Sequence, residues 1–418
     1  MKQRNRKPAY QRRAHAEKSG ILIRWAIVCV SLALCVCVGA GVILHMQAAK
    51  SDALPTIPQP PPESASVAPP QPVVTTLHFS ASGDDLIHDG LYLQAKKRGG
   101  DVYDFTALYE NVADFYKSFD INWINQETLV SDEIAPSGYP TFCSPTAVAQ
   151  TLYNIGFRVF ALSNNHSYDK GATGLASTLN FWRSMPQDTV FTGLYAGEAD
   201  YDNITIQEVN GVKIAYLPYT ELTNGIPTPQ DAVANIIYTS DLAVIERQIK
   251  LARTLADVVI PCVHMGTENS HEVNDAQRTL GQQMADWGAD IIIGTHPHVV
   301  QPVEYFTAAE SGKSVPMFMS LGNFVSTQNQ IDNLIGVVAT FDITKTTMPD
   351  GVSQTVIDNL HAVPIVMHYD ANYKNARVYL LRDYTDELAA QHGNPNMSLT
   401  YIHTMLAENM NAELLSLS

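Results

Sequence analysis

Five of the 13 histidines stand in short polar clusters that also carry carboxylates and amides. The clusters are Gly83-Asp84-Asp85-Leu86-Ile87-His88, Asn125-Gln126-Glu127, Asn164-Asn165-His166-Ser167-Tyr168-Asp169-Lys170-Gly171, His264-Met265-Gly266-Thr267-Glu268 and Gly294-Thr295-His296-Pro297-His298. Singly, none is diagnostic. Gly-Asp after an apolar run is usually a turn with a solvated carboxylate, and one histidine is more often a hydrogen-bonded core residue than a ligand. Jointly they form a donor set. Two imidazoles separated by one residue, as at His296 and His298, can be aimed at a common point, and Asp84, Glu127 and Asn165 add oxygen donors. A mixed imidazole and carboxylate set suits Mn, Fe or Zn better than Ca, which takes all-oxygen shells. The donors suffice for one or two such divalent ions.

The elements that must position these clusters are strands, because each cluster follows a short apolar or β-branched run. Thr75–Ser82, Asp120–Ile124, Arg158–Ser163, Asp257–Val263, Asp290–Gly294, Val315–Ser320 and Ile335–Ile343 read as strands, and Ile204–Val209 with Val212–Leu217 flank the hairpin signal Asn210-Gly211. Helical spacing occurs over Phe105–Tyr116, Pro145–Ile155, Leu175–Met185, Asp241–Leu255 and Asp275–Trp287, with Ser144 read as an N-cap before Pro145. Alternating strands and helices predict an α/β body, and the crevice beyond the strand carboxyl ends is where such sheets place their sites.

The ordered series Gly83-Asp84, Asn125-x-Glu127, Asn164-Asn165-His166 with Asp169 and Gly171, His264-x-Gly266-x-Glu268, Gly294-x-His296-Pro297-His298-x-x-Gln301 and Ser320-Leu321-Gly322-Asn323-Phe324 resembles the bacterial capsule-synthesis CapA family, associated with poly-γ-glutamate production, within the calcineurin-like metallophosphoesterase superfamily. The resemblance covers about residues 76–345. It implies a two-sheet sandwich flanked by helices (αββα) with a dinuclear centre at the sheet edge. By resemblance, Asp84, Glu127, Asn165, His264, His296 and His298 are metal ligands and His166 protonates the leaving group. His88, Asn164, Glu268 and Asn323 then contact substrate or support the ligands, Glu268 by orienting His264. Two departures are that Glu127 replaces the usual Asp and that Leu86 occupies the position of the usual Asp-x-His histidine. Of itself, Ser320–Phe324 reads as a strand end turning through Gly322.

Ahead of this body, Trp25–Met46 is a 22-residue run without an acid, Lys or Arg, long enough as a helix to span a bilayer core. It exceeds the apolar stretch of a usual signal peptide, and Gln47-Ala48-Ala49 is a poor cleavage site. The expectation is one transmembrane helix over 25–46, with a basic cytoplasmic head at 1–24 and the body outside the cell membrane by the positive-inside rule. Residues 47–74, rich in proline, read as an extended linker. The catalytic body is drawn at 75–383 and a C-terminal tail at 384–418, with Leu399–Leu417 as a polar helix. Residues 1–46 carry net charge +7 and the remainder −23, which excludes nucleic acid as a partner because that mode needs a basic surface. Cys143 and Cys262, the two body cysteines, allow one disulfide at most and read as buried or free thiols.

The leading expectation is a membrane-anchored, extracytoplasmic metal-dependent hydrolase or transferase. It would act on an anionic surface polymer such as poly-γ-glutamate, or its precursor, beside membrane-embedded synthesis machinery. The alternatives are a surface metallophosphoesterase unrelated to capsule and a non-catalytic polymer-binding assembly subunit.

Overall fold

A computed structural model of the chain describes residues 71–417. The basic head, the expected membrane span over 25–46 and nearly all of the linker lie outside the described residues. Among those described, no helix is long and apolar enough to cross a membrane.

The first half of the body contains β1 (Val73–Asp85), α1 (Asp89–Gly99), α2 (Thr106–Tyr109), α3 (Ala113–Tyr116), β2 (Ile121–Asn125), α4 (Ala147–Asn154), β3 (Val159–Ala161), α5 (Gly171–Ser184), β4 (Val190–Thr192), β5 (Ile206–Val209) and β6 (Val212–Thr220). The second contains α6 (Leu242–Leu255), β7 (Val258–His264), α7 (Asp275–Trp287), β8 (Ile292–Thr295), β9 (Val300–Thr307), β10 (Ser314–Leu321), β11 (Asn323–Val325), β12 (Ile335–Thr347), β13 (Ser353–Asp370), β14 (Lys374–Leu380), α8 (Asp386–Gln391) and α9 (Leu399–Asn409). They build two sheets, one ordered β14-β13-β12-β1-β2-β3-β4 with β11 beside β1, the other β5-β6-β7-β8-β10-β9.

Strand alternation decides what each face meets. Ile214 and Tyr216 of β6, Val258 and Ile260 of β7 and Ile293 of β8 share one core with Leu77, Phe79 and Ala81 of β1. Phe79 and Tyr216 meet across the two sheets with ring centroids 6.4 Å apart. The intervening Leu217, Val259, Val263 and Ile292 instead pack on Ile245 and Ile249 of α6 and Leu280 and Met284 of α7. On the other outer face, Trp182 of α5 lies 4.7 Å from Phe160 of β3. The result is a mixed α/β fold of two sheets with flanking helices.

That architecture sets the site because β1, β2 and β3 run parallel, as do β6, β7 and β8, so each set ends together. Asp84 is level with Asn125, and His264 with Thr295. Gly83 lets β1 reach the edge: a Cβ there would collide with the carbonyl oxygen of Gly322.

Local readings change in three places. Phe105–Tyr116 is not one helix but the single turns α2 and α3, neither with a capping side chain, separated by exposed Glu110 and Asn111. Ser144 caps nothing, because α4 begins at Ala147 and the Ser144 hydroxyl lies 2.6 Å from that of Thr128. The C-terminal helix stops at Asn409, short of Leu417, and buries Ile402, Met405 and Leu406 in the core shared by both sheets.

Candidate metal centre

The five clusters converge at one edge of the sandwich. Asp84, on the last turn of backbone in β1, accepts from Asn125 Nδ2 at 2.7 Å and from the His296 backbone N–H at 3.2 Å, and lies 3.2 Å from His298 Nδ1. Glu127, just beyond β2, puts Oε1 at 3.8 Å from His264 Nε2, 3.8 Å from His298 Nε2 and 3.9 Å from His166 Nε2. Asn165 Oδ1 is 3.0 Å from His264 Nε2, which is 3.2 Å from His296 Nδ1. Asp84, Glu127 and His298 form one group of ligand atoms within 4.8 Å of one another, and Glu268, His296 and His298 form another.

His296 and His298 reach these positions through backbone strain rather than strand pleat. Both hold positive φ, 97° and 59°, a conformation that costs an L residue on the order of 1–3 kcal/mol and persists only where the surroundings enforce it. The reversal through Pro297 leaves the two rings 6.0 Å apart, and Asn323 Oδ1 fixes His298 Nδ1 at 2.9 Å. Asn323 is thus the residue through which the Ser320–Phe324 segment touches the candidate site. Gly322 turns the chain and β11 pairs with β1 beside Asp84.

The electrostatics call for a cation. Both Glu127 oxygens are buried without a hydrogen-bond partner, and burial, aided by the neighbouring Asp84 carboxylate, raises its pKa well above the carboxylate range. An unpaired buried carboxylate costs several kcal/mol. Burial and the surrounding imidazoles push His264 well below its ordinary value, and His296 to about 4. Burial alone would lower His298 too, but the Glu127 and Asp84 carboxylates outweigh it and lift it to about 10. Two neutral imidazoles, His264 and His296, and a third, His298, whose proton a cation would displace, beside two carboxylates are the donor chemistry of Mn, Fe or Zn, so these residues fit a divalent ion.

His166 sits beside this group. Its Nδ1 is 2.7 Å from Asp169 Oδ2, its backbone N–H donates to Asn164 Oδ1 at 3.0 Å, and its Nε2 side faces Glu127. Asn164 is occupied in pinning this loop, since its Nδ2 donates to the Gln126 carbonyl at 3.0 Å. His88 lines the cleft over the centre but belongs to neither ligand group; its Nδ1 lies 3.0 Å from Leu86 O, and burial lowers its pKa to about 4. Exposed Glu268 lies at the cleft wall with no hydrogen bond to His264.

Three supporting residues had no role in the sequence reading. Asp169 was visible as part of a motif, and its three-residue offset from His166 was the available signal. Asp85, at the bottom of the site, accepts from Tyr109 Oη and Gln126 Nε2, both at 2.9 Å, and so ties down the loop that carries Glu127. Burial raises its pKa to about 7 against those two hydrogen bonds. Asn224 arrives on the loop after β6, within 3.4 Å of both Asn165 and His166, and nothing in its local sequence marks it.

Comparison with known proteins gives the family of the chain that carries these residues. Residues 78–328 match the family described as "Bacterial capsule synthesis protein PGA_cap", and the chain belongs to that family. It is similar to the PGA biosynthesis protein CapA of Bacillus subtilis (strain 168), 34% identical over 180 residues, 43% of this chain and 45% of that protein. It is also similar to the capsule biosynthesis protein CapA of Bacillus anthracis, 35% identical over 178 residues, 41% of each chain. The match therefore spans less than half the length of either relative. Among solved structures, the NAD nucleotidase of Haemophilus influenzae aligns with TM-score 0.41 and 13% identity over 80% of this chain and 60% of that one, a likeness too distant to bear on chemistry.

Proposed function

We propose that the protein is a metal-dependent hydrolase or transferase of calcineurin-like type, acting in capsule biosynthesis on a surface polymer or its precursor. The observation that carries this reading is the buried, unpartnered Glu127 carboxylate among His166, His264 and His298. Asp84, Glu127, Asn165, His264, His296 and His298 would hold one or two divalent ions, with Glu268 available to the His296 and His298 group. Such an ion supplies Lewis acidity and lowers the pKa of bound water. The chain's own residues do the rest. Asp169 holds His166 Nδ1, which orients Nε2 toward the centre, where it donates a proton to the leaving group. Asn224 and Phe142 bound His166 on the cleft side, Phe142 with its ring 4.7 Å away.

Metal analysis of the full-length protein tests the reading. The parent should carry a transition metal, and Asp84→Ala and His298→Ala should each lower occupancy steeply, because each deletes a donor from a closed set. Unchanged metal content in both variants would remove them as ligands.

The reading extends to a single-pass anchor over 25–46 with the body outside the cell, next to membrane-embedded synthesis machinery, supported by the +7 head and the 22-residue apolar run. Protease applied to intact cells should then release a soluble fragment through the proline linker. Protection until lysis would refute the topology.

A further inference from the structure

The cleft over the metal centre, about 770 Å³, adjoins a second cavity of about 470 Å³, and the two share Asn329 and Tyr373 in their walls. Tyr373 is held at this junction against its own backbone preference. Asn372 and Tyr373 have φ of 60° and 56°; asparagine tolerates this region, but for a bulky residue it is a genuine outlier of the kind that collects at ligand sites. The strain is held by contacts. The Tyr373 ring fits against Gly90, where a Cβ would come within 2.7 Å of a ring carbon, and its centroid lies 5.1 Å from that of Tyr369. Gly138 makes a similar accommodation across the cleft, since a Cβ there would meet the Asp89 backbone nitrogen at 2.9 Å. The next residue, Tyr139, stands 81% exposed at the rim.

The lining has one chemistry. The second cavity offers the amides of Asn329, Asn372, Asn394 and Asn396 and the rings of Tyr369 and Tyr373, with no carboxylate, Lys or Arg. Asn329 and Asn396 engage neighbours only through backbone atoms, leaving their side-chain amides without partners among the described residues. The cleft at the metal end likewise has no Lys or Arg among its lining residues.

We infer that the second cavity is a distal subsite for a neutral glycan segment whose reacting end lies over the metal centre. The inference rests on the metal-centre reading and narrows its substrate. A sugar unit presents an apolar face and a rim of hydroxyls; tyrosine rings match the first, and amides, which both donate and accept, match the second. A γ-linked glutamate chain brings a carboxylate with every residue into a subsite lined by neither Lys nor Arg, on a chain whose residues 47–418 carry net charge −23. Desolvation and like-charge repulsion oppose it there. An anionic or carbonyl group is accommodated at the metal end, and the subsite selects what extends away from it.

The test is calorimetric titration of the full-length protein in detergent micelles with cellopentaose, chitopentaose and maltopentaose, and separately with penta-γ-glutamate. At least one neutral pentasaccharide should bind, with the corresponding monosaccharide much weaker. Tyr373→Ala should weaken that binding about tenfold, the loss of one aromatic contact, and Tyr373→Phe should restore most of it because the ring face remains. Asn396→Ala, at an exposed side chain that cannot threaten the fold, should weaken it severalfold. No binding by any of the three sugars, binding indifferent to Tyr373→Ala and Asn396→Ala, or penta-γ-glutamate binding that those substitutions weaken, would overturn the proposal. Metal content measured on the same samples separates the two readings. A metal-free parent overturns the metal centre, whereas a metal-loaded parent indifferent to the sugars overturns the subsite alone.

Discussion

Among the described residues lie two groups of buried histidines, and they differ in one respect. At the C-terminal end of the larger sheet, His368 has Nδ1 2.9 Å from Tyr384 Oη and Nε2 3.2 Å from Asp370 Oδ1, while His392 has Nε2 3.1 Å from Met367 O and Nδ1 accepting from the Asn394 N–H at 2.8 Å. Every ring nitrogen there has a partner from the chain. At the strand edge, His166, His264 and His298 surround a carboxylate whose two oxygens have none. The histidines are buried alike in the two places. The first group is complete as a piece of structure, whereas the second leaves a buried carboxyl group without a partner, and that unsatisfied group is what sets the candidate site apart from a core network.

The largest effect that would sharpen this contrast is on turnover. His166→Ala should reduce activity about 10²–10⁴-fold, the usual worth of a general acid, while the metal stays bound, since His166 is placed beside the ligand set and not in it. His368→Ala, in neither ligand group and lining neither cavity, should lower stability and leave the residual protein's specific activity intact. Full activity in His166→Ala on every substrate the parent turns over would return the edge cluster to a binding role.

How far the contrast was legible in the sequence depends on which elements carry it. Val258–His264 could be read because a parallel strand buried on both faces is apolar almost throughout, and Asn210-Gly211 announced its hairpin. β13 could not: its first half, Ser353–His361, faces solvent and mixes polar and β-branched residues without a clean alternation. α1 lacks a side-chain cap and buries only Leu91 and Ala95, so its helical period is faint. At the site, donors that follow strands in sequence were visible as motifs. Asn224 was not, because it meets His166 only through the packing of a loop 58 residues away. Nor could spacing reveal that His296 and His298 converge by left-handed turns, which depend on the contacts that enforce them.

A smaller effect reverses sign between parent and variant. Chelating the metal should destabilise the parent by about 2.7 kcal/mol if the ion was present at roughly 100 times its Kd, a drop in Tm on the order of 5 °C for a domain of this size. Glu127→Gln should abolish that metal-dependent increment and also raise the Tm of the chelated protein above that of the chelated parent. The gain should be larger at pH 8 than at pH 6, because burial already drives the parent carboxyl toward its protonated form as pH falls. His368→Ala should shift Tm equally with and without chelator. An equal response to chelation in the parent and in Glu127→Gln would erase the distinction between the two clusters.

The smallest effect concerns the satisfied cluster alone. Burial, reinforced by the neighbouring His368, lowers the His392 pKa to about 4 despite hydrogen bonds to Met367 and Asn394 and the nearby Asp370 carboxylate. An unfolded histidine titrates near 6.5, so between about pH 6.5 and pH 4 the unfolded chain binds a proton that the native chain refuses. With more protons on the unfolded state, stability rises with pH across that window. The contribution is therefore intact above pH 6.5, declines as the pH falls toward 4, and declines no further below it. His392→Gln keeps an amide to donate to the Met367 carbonyl but cannot titrate, so denaturant midpoints of the variant should fall less steeply over this range. Its stability at pH 7.5 should nonetheless be lower by about 1 kcal/mol, because the ring's packing on Tyr369, with centroids 4.6 Å apart, and one hydrogen bond are lost. Measuring both proteins in chelator cancels the titration of the edge histidines. Parallel pH curves would mean that His392 takes up its proton in the native state, and a partnered, buried imidazole would then not be the neutral, structural group that sets this cluster apart from the strand edge.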